Sequence, residues 1–462
     1  MPTPPTRLTA TALAALQDRL VATQVRDSIA PFSPLWRRRF TELNRRASSV
    51  RSVAELATIP AMGERDVSPN GDPAAMAALV LQAGEAGFAL HASGPALRRA
   101  IRLRAMRKDA YQRVVDADTR ATSYVFAGVG MRYPIASTRA DLDTIARAGA
   151  RLWAVLGLTR NDVMVSAVDP AATTEHVALQ YAATGAGAPA LFPGGHPADL
   201  ATAIRLAPPT VLALPTDRAV ELLENMRGLE SLRTVLLVGA PTDAERSAAT
   251  HAARRAVGAG DLAVLAVHAP AGARLLWGEC RESGGSTGLH SYADLDVLQV
   301  VDPDTGEHTS SDGELVLTQL GMRGSALFRW RTADLVDSVT SSPCPSCHRV
   351  VPRAEGLQRH ALVTGIGEQG DLLDLRSVAS ALSGRRDVRD WRIVVGRRDR
   401  DGAPRVVVRL APDGTDTAGI VIGAAADIRA LAGALPTQIV LSDPYELAGL
   451  RGQRQSERIL AE

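Results

Sequence analysis

Cysteine is nearly absent: the chain has three in 462 residues, so a disulfide framework cannot carry the fold, and reduced thiols fit a cytoplasmic protein. Lysine is scarcer still, since Lys108 is the only one. Aromatic residues make up 4%, which argues against a stacking platform for single-stranded nucleic acid. Neither sign of charge dominates, with Lys+Arg at 52, Asp+Glu at 50 and a net charge of +2. The one basic stretch, residues 98–108 (RRAIRLRAMRK), reads as a solvated face with interleaved apolar positions before it reads as a phosphate or RNA contact. No run of about twenty apolar residues occurs, and the opening MPTPPTRLTATALAAL lacks the basic start and long apolar segment of a secretory signal. The expectation is a soluble, cytoplasmic protein with neither nucleic acid nor membrane as a partner.

What is present starts with a core. Hydrophobic residues are 46% and charged residues 22%, ordinary for a globular chain, and the length suggests two to four domains. The three cysteines are not scattered. Cys280 stands with His290 in GECRESGGSTGLH, and Cys344 with Cys347 in SSPCPSCHR. Thiolate and imidazole are the ligands a tetrahedral zinc prefers, and C-x2-C lets one turn present two sulfurs to one ion. A closed set of three cysteines and one histidine leaves no open position, so such a zinc would be structural. The alternative, three inert buried thiols, suits cysteines spread along a chain.

Helical spacing marks residues 13–28 and 34–47, then 73–84 and 95–118. From residue 120 short apolar strands alternate with Ala-rich helices, the pattern of βαβ units and a largely parallel sheet. The expected strands are 123–126, 162–168, 188–192, 210–214, 234–238 and 262–268, with helices at 139–156, 174–184, 197–206, 216–225 and 242–256. Residues 295–301 and 313–318 read as an antiparallel pair around Asp302-Pro303-Asp304-Thr305-Gly306. A smaller α+β module begins near 357, with helices at 372–383 and 422–433 and strands at 391–396, 405–410 and 437–441.

Between 288 and 353 the segments GLH, VVDPDTGE, DGELVLTQL, ALFRWRTADL and CPSCHRVVPR follow in an order and spacing that resemble phenylacetate-CoA ligases, members of the adenylate-forming superfamily. SPLWRRRFTELN and SVAELATIPAMGERDV are similar to that family's opening, so the resemblance spans nearly the whole chain. It implies an α/β adenylate-forming fold with a large domain over 1–355 and a small α+β domain over 356–462. Within the large domain it implies a helical cover (1–118), an α/β core (119–290) and a β-rich, zinc-containing part (291–355). It also implies a site between the domains for ATP, a carboxylic acid and coenzyme A, and a zinc on Cys280, His290, Cys344 and Cys347.

The motifs that handle ATP in that family are changed here. The place of the phosphate loop is Val125-Phe-Ala-Gly-Val-Gly-Met-Arg-Tyr133: Gly128 and Gly130 remain, but the hydroxyls and the Lys do not. Gly239, after the strand at 234–238, is placed with them on the cofactor side. Where the family has an aromatic residue and a Mg2+-binding Glu stands His268-Ala-Pro-Ala-Gly272, without the carboxylate that metal-assisted phosphate chemistry needs. Asp334 is kept; the resemblance implies ribose binding, and capping of a local turn is the other reading. The hinge is Gly356-Leu357 without its Arg, and the tail GLRGQRQSERIL has no Lys. Arg presents a wide fork and is a poor substitute for Lys at a point contact. These losses disfavour ATP and Mg2+ as cofactors.

Asp169-Pro-Ala-Ala-Thr-Thr-Glu-His176 follows a strand end, where α/β folds build sites. Thr173 with Glu175 and His176 makes a good helix opening, and taken singly each histidine reads as packing. Taken together in the cleft, Glu175, His176 and His268 are the candidate catalytic group, a histidine acting as general base or acid on an activated acyl group. His91, His196, His251, His308, His348 and His360 read as surface or loop residues. The resulting expectation is a repurposed enzyme that hydrolyses or transfers an acyl or aryl carboxylic-acid derivative in specialised metabolism. A divergent ATP-dependent ligase and a non-catalytic scaffold are the alternatives, and a homodimer is left open.

Overall fold

The computed structural model describes residues 8–68, 72–84, 90, 94–106, 108–127, 133–168, 174–258, 261–283, 287–303, 305–358, 364–366, 372–383, 385–395, 406–444, 446–447 and 459–461. Helix α1 (Ala10–Gln24) is opened by Thr9, whose hydroxyl accepts the N–H of Ala12 at 3.2 Å. Its buried Gln17 side chain donates to the Asp296 carbonyl oxygen, fastening the start of the chain to a strand far along it. Helix α2 (Pro34–Glu42) begins with Ser33 as cap and Pro at its first position, and buries Trp36 edge-on against Phe328 at 4.8 Å. Helices α3 (Gly94–Met106) and α4 (Lys108–Thr119) complete this mainly helical part.

Residues 123–126 were expected as a strand of the parallel sheet. Instead β1 (Ala121–Ala127) pairs antiparallel with β2 (Tyr133–Thr138) in a separate two-stranded sheet. The reason is visible in β1 itself: Tyr124 and Phe126 are 59% and 52% exposed, the alternation of a half-solvated strand, whereas parallel strands are buried on both faces. Helix α5 (Arg139–Val155) follows at once, with Thr138 and Asp141 forming a capping box.

Among the described residues the central sheet has nine strands. Its parallel part, in spatial order, is β4 (Ala190–Leu191), β3 (Met164–Ser166), β5 (Val211–Pro215), β6 (Thr234–Val238) and β7 (Ala263–His268). Between these strands lie α6 (Thr174–Ala186), α7 (Pro197–Leu206), α8 (Ala219–Asn225) and α9 (Asp243–Val257). Every residue of β5 and β6 is buried, which is why they read as nearly continuous apolar runs. Beyond β7 the sheet turns antiparallel through β8 (Trp277–Gly278) and β9 (Leu289–His290). The chain then makes a four-stranded antiparallel sheet from β10 (Asp296–Val301), β11 (His308–Thr309), β12 (Gly313–Gln319) and β13 (Trp330–Val336). It returns to the edge of the large sheet with β14 (Ser338–Thr340) and β15 (Arg353–Glu355), the latter paired to β9.

A small α+β unit ends the chain. Residues 372–374, expected as the start of a helix, form β17 (Leu372–Asp374) against β16 (Thr364–Ile366), and α10 (Leu375–Ser383) begins only afterwards. The pairing partner lies in a separate stretch, so helical spacing alone cannot reveal it. Strands β18 (Val388–Val395), β19 (Val406–Pro412), β20 (Gln438–Leu441) and β21 (Ile459–Ala461) form one sheet. Helices α10 and α11 (Thr417–Ala432) share an apolar core with it, including Leu382, Trp391, Val408 and Ile428.

Candidate functional site

Cys280, His290, Cys344 and Cys347 meet at the antiparallel edge of the central sheet. Cys280 follows β8, His290 ends β9, and the two remaining cysteines lie in the loop from β14 to β15. Two pairings set the approach: His290 faces Gly278 on one side and Arg353 on the other. The C-x2-C turn is closed by the N–H of Cys344 on the Arg349 carbonyl (3.0 Å) and of His348 on the Cys344 carbonyl (2.9 Å), with His348 at φ 58°. All four ligand atoms lie within 4.8 Å of one another. Cys280 Sγ is 3.9 Å from Cys344 Sγ, and His290 Nε2 is 3.3 Å from Cys347 Sγ. Sulfurs bound tetrahedrally at about 2.3 Å from one ion would stand roughly 3.8 Å apart, so the donor set and its spacing suit a four-coordinate metal. Burial, with Arg353 and Arg349 nearby, lowers the His290 imidazole to about 4, which keeps it neutral and able to ligate. Burial pushes the Cys344 thiol up, but the N–H groups of Cys347 and Ser346, with the Thr287 and Cys347 side chains, bring it down to about 7.

An open cleft of about 510 Å³ adjoins this cluster. Its walls include Arg151, Tyr292, His348 and Arg349, and both His290 and Cys347 open onto it. Arg151 is held by two bonds to Asp294 (3.0 and 2.7 Å) and lies 5.0 Å from the centre of the Tyr292 ring. Arg349 donates to the Ala154 carbonyl near the end of α5. Sequence reasoning missed this cleft; the only local signal was the His-Arg that follows Cys347.

The residues of the candidate catalytic group have different partners. His268, the last residue of β7, bonds through Nε2 to Asp334 Oδ2 at 3.0 Å, and both side chains are 0% exposed. A carboxylate only accepts, so Nε2 carries the hydrogen. Nδ1 has no hydrogen-bond partner among the described residues. Asp334 is aimed there by an irregular strand: register slips between β12 and β13, Ala333 sits at φ 60°, and the Asp334 N–H donates to Thr332 Oγ1. A bulge of this kind re-aims the side chain beside it. His176 has a different environment in the first turn of α6. Its Nδ1 donates to the Val168 carbonyl oxygen at 3.2 Å, and its ring meets Phe192 edge-on at 5.2 Å. Glu175, also buried, accepts from the hydroxyl of Thr174. The amide of Gly239 is spent on the Val267 carbonyl (2.7 Å), and its φ of 128° suits glycine. Gly128, Gly130 and Thr173 lie outside the described residues.

No protein-family model matches the chain, and no curated protein matches it by sequence. Solved structures do match. Against 2-hydroxyisobutyryl-CoA ligase in the postadenylation state, in complex with 2-HIB-AMP, the TM-score is 0.65 at 18% identity, covering 99% of this chain and 91% of that one. The same ligase with 2-HIB-AMP and CoA in the thioesterification state gives 0.60, and an open conformation gives 0.56. An identity of 18% over nearly the full length speaks to architecture alone, and on that ground the chain has the fold of the adenylate-forming CoA ligases.

Proposed function

We propose that this chain is a phenylacetate-CoA ligase-like protein that works without ATP, hydrolysing or transferring the acyl group of an already activated acyl or aryl carboxylic-acid derivative in specialised metabolism. The observation that carries the reading is the His268–Asp334 bond: the carboxylate that would hold a ribose is taken by a histidine standing where the family has an aromatic residue, in a motif without the Mg2+-binding Glu. The same bond prepares a base. Asp334 fixes the tautomer and leaves Nδ1 to take a proton from water or an acceptor as it attacks the acyl carbonyl, and to return it to the leaving group. Glu175 and His176 then belong to the wall of the acyl pocket. The four-ligand cluster holds a structural zinc, supported by its donor chemistry and mutual distances; when bound, that ion supplies a cross-link between loops and no open coordination site. Gly356 is the hinge before a small domain over 356–462. The protein works in the cytoplasm, consistent with its thiol usage, and no described helix is long and apolar enough to cross a membrane.

Calorimetry with ATP and Mg2+ is expected to show no binding, and thioester turnover is expected to fall at least a hundredfold in both His268→Ala and Asp334→Asn, with little further loss in the double variant. Tight Mg2+-dependent ATP binding would return the chain to the ligases. A scaffold is the second reading, favoured by the complete burial of His268 and Asp334. Unchanged turnover in both variants, or none in the wild type across thioesters and amides, would select it.

A further inference from the structure

The three thiols of the cluster differ in access. Cys280 and Cys344 are 0% exposed, whereas Cys347 is half-buried and lines the cleft of about 510 Å³. A reagent diffusing into that cleft therefore reaches Cys347 first. The cleft is wide enough for a small organic molecule, Leu152, Val155 and Val351 give its wall an apolar part, and Arg349 places a guanidinium there. A cationic neighbour assists loss of an anionic leaving group from a thiolate's oxidant. A second thiol is within reach, since Cys344 Sγ is among the ligand atoms that all lie within 4.8 Å, and the C-x2-C spacing allows the pair to close a disulfide with only a local shift.

We propose that Cys347 is an oxidation site: an alkyl hydroperoxide entering the cleft oxidises it, and Cys344 captures the product as a Cys344–Cys347 disulfide that opens the cluster. In the first step the Cys347 thiolate attacks the terminal peroxide oxygen, the O–O bond breaks, and the alkoxide leaves as the alcohol. In the second, Cys344 Sγ attacks the sulfenic sulfur and water leaves. Two thiols and one hydroperoxide thus give one disulfide, one alcohol and one water, the sulfurs losing the two electrons that the peroxide gains. With both sulfurs committed, the remaining Cys280 and His290 no longer close a four-coordinate shell. The inference rests on the metal reading for its consequence and on the cleft for its selectivity, and the two are separable.

Elemental analysis of the full-length protein as purified tests the metal reading by itself. The same protein is then treated with tert-butyl hydroperoxide, alkylated and digested, and followed by peptide mass spectrometry, with release of metal read by a chromogenic chelator. A Cys344–Cys347 disulfide is expected, with Cys280 remaining reduced and metal released in step with the disulfide. Cys347→Ser should slow thiol loss at least tenfold. Ala154→Trp, which narrows the cleft and leaves all four ligands in place, should slow it severalfold with unchanged metal content. Oxidation of Cys280 as fast as Cys347, or a wild-type rate in the Ala154→Trp protein, overturns the proposal. An absence of metal with the expected disulfide still forming overturns only the metal reading.

Discussion

Asp296 opens β10 with its carboxyl removed from water, and that burial, only partly offset by the Trp277 indole N–H at 2.9 Å and the backbone near Tyr292, raises it to about 7. An ordinary carboxyl in the unfolded chain loses its proton near pH 4. Between these values the folded state holds a proton that the unfolded state has released, so stability falls as pH rises from about 4 to about 7 and is level above. Asp296→Asn removes that titration while keeping an oxygen for Trp277. In urea unfolding the variant should gain on the wild type by up to roughly 4 kcal/mol across that window, at about 1.4 kcal/mol per pH unit; parallel pH profiles would refute the assignment. His268, in the candidate site, is buried as well. Its position was legible because a motif led to it, whereas its partner was not, because Asp334 lies 66 residues away and is turned inward by a local irregularity of β13.

Helices α5 and α6 show what a close approach demands. A Cβ on Gly149 would overlap the Cα of Ala182, and one on Gly185 would overlap the Ala146 carbonyl oxygen. Two backbones packed this tightly leave no flexible side chain to move aside. Gly149→Ala gains up to about 1 kcal/mol of helix propensity, but overpacking against backbone costs about 1–3 kcal/mol or more, so the net effect is destabilising. Denaturant unfolding should show a loss of about 1–2 kcal/mol, which Ala182→Gly does not fully restore because it removes helix propensity from the partner. A neutral Gly149→Ala would mean that the helices sit further apart. Elements held by local signals were the ones readable in advance: β6 at 234–238 and α7 at 197–206 were anticipated to the residue. Helix α5 was nearly so, since Thr138 and Asp141 cap it within four residues of chain. Strand β17 was misread because its partner supplies the reason for its shape.

At the scale of the whole molecule the four-ligand cluster joins two stretches separated by more than fifty residues, the turn between β8 and β9 and the loop before β15. Its edge position means that its loss frees two loops together and leaves the parallel core intact. A strong chelator, or Cys347→Ser, should lower Tm by on the order of 3–10 °C without abolishing cooperative unfolding. One zinc per chain in elemental analysis is the companion result, and an unchanged Tm with no zinc would remove the structural role. The fold neighbours span three states of one ligase, with TM-scores from 0.56 to 0.65, so the likeness concerns the scaffold as a whole.

The sequence by itself determined the alternation of buried strands and helices and the grouping of every cysteine with one histidine, because these depend on residue type and short-range spacing. Only the tertiary structure decided that β1 leaves the central sheet, that Asp334 belongs to His268, and that Cys347 alone among the thiols faces an open cleft. Those outcomes depend on which distant segments compete for the same hydrogen bonds and buried volume, and no window of neighbouring residues contains that information.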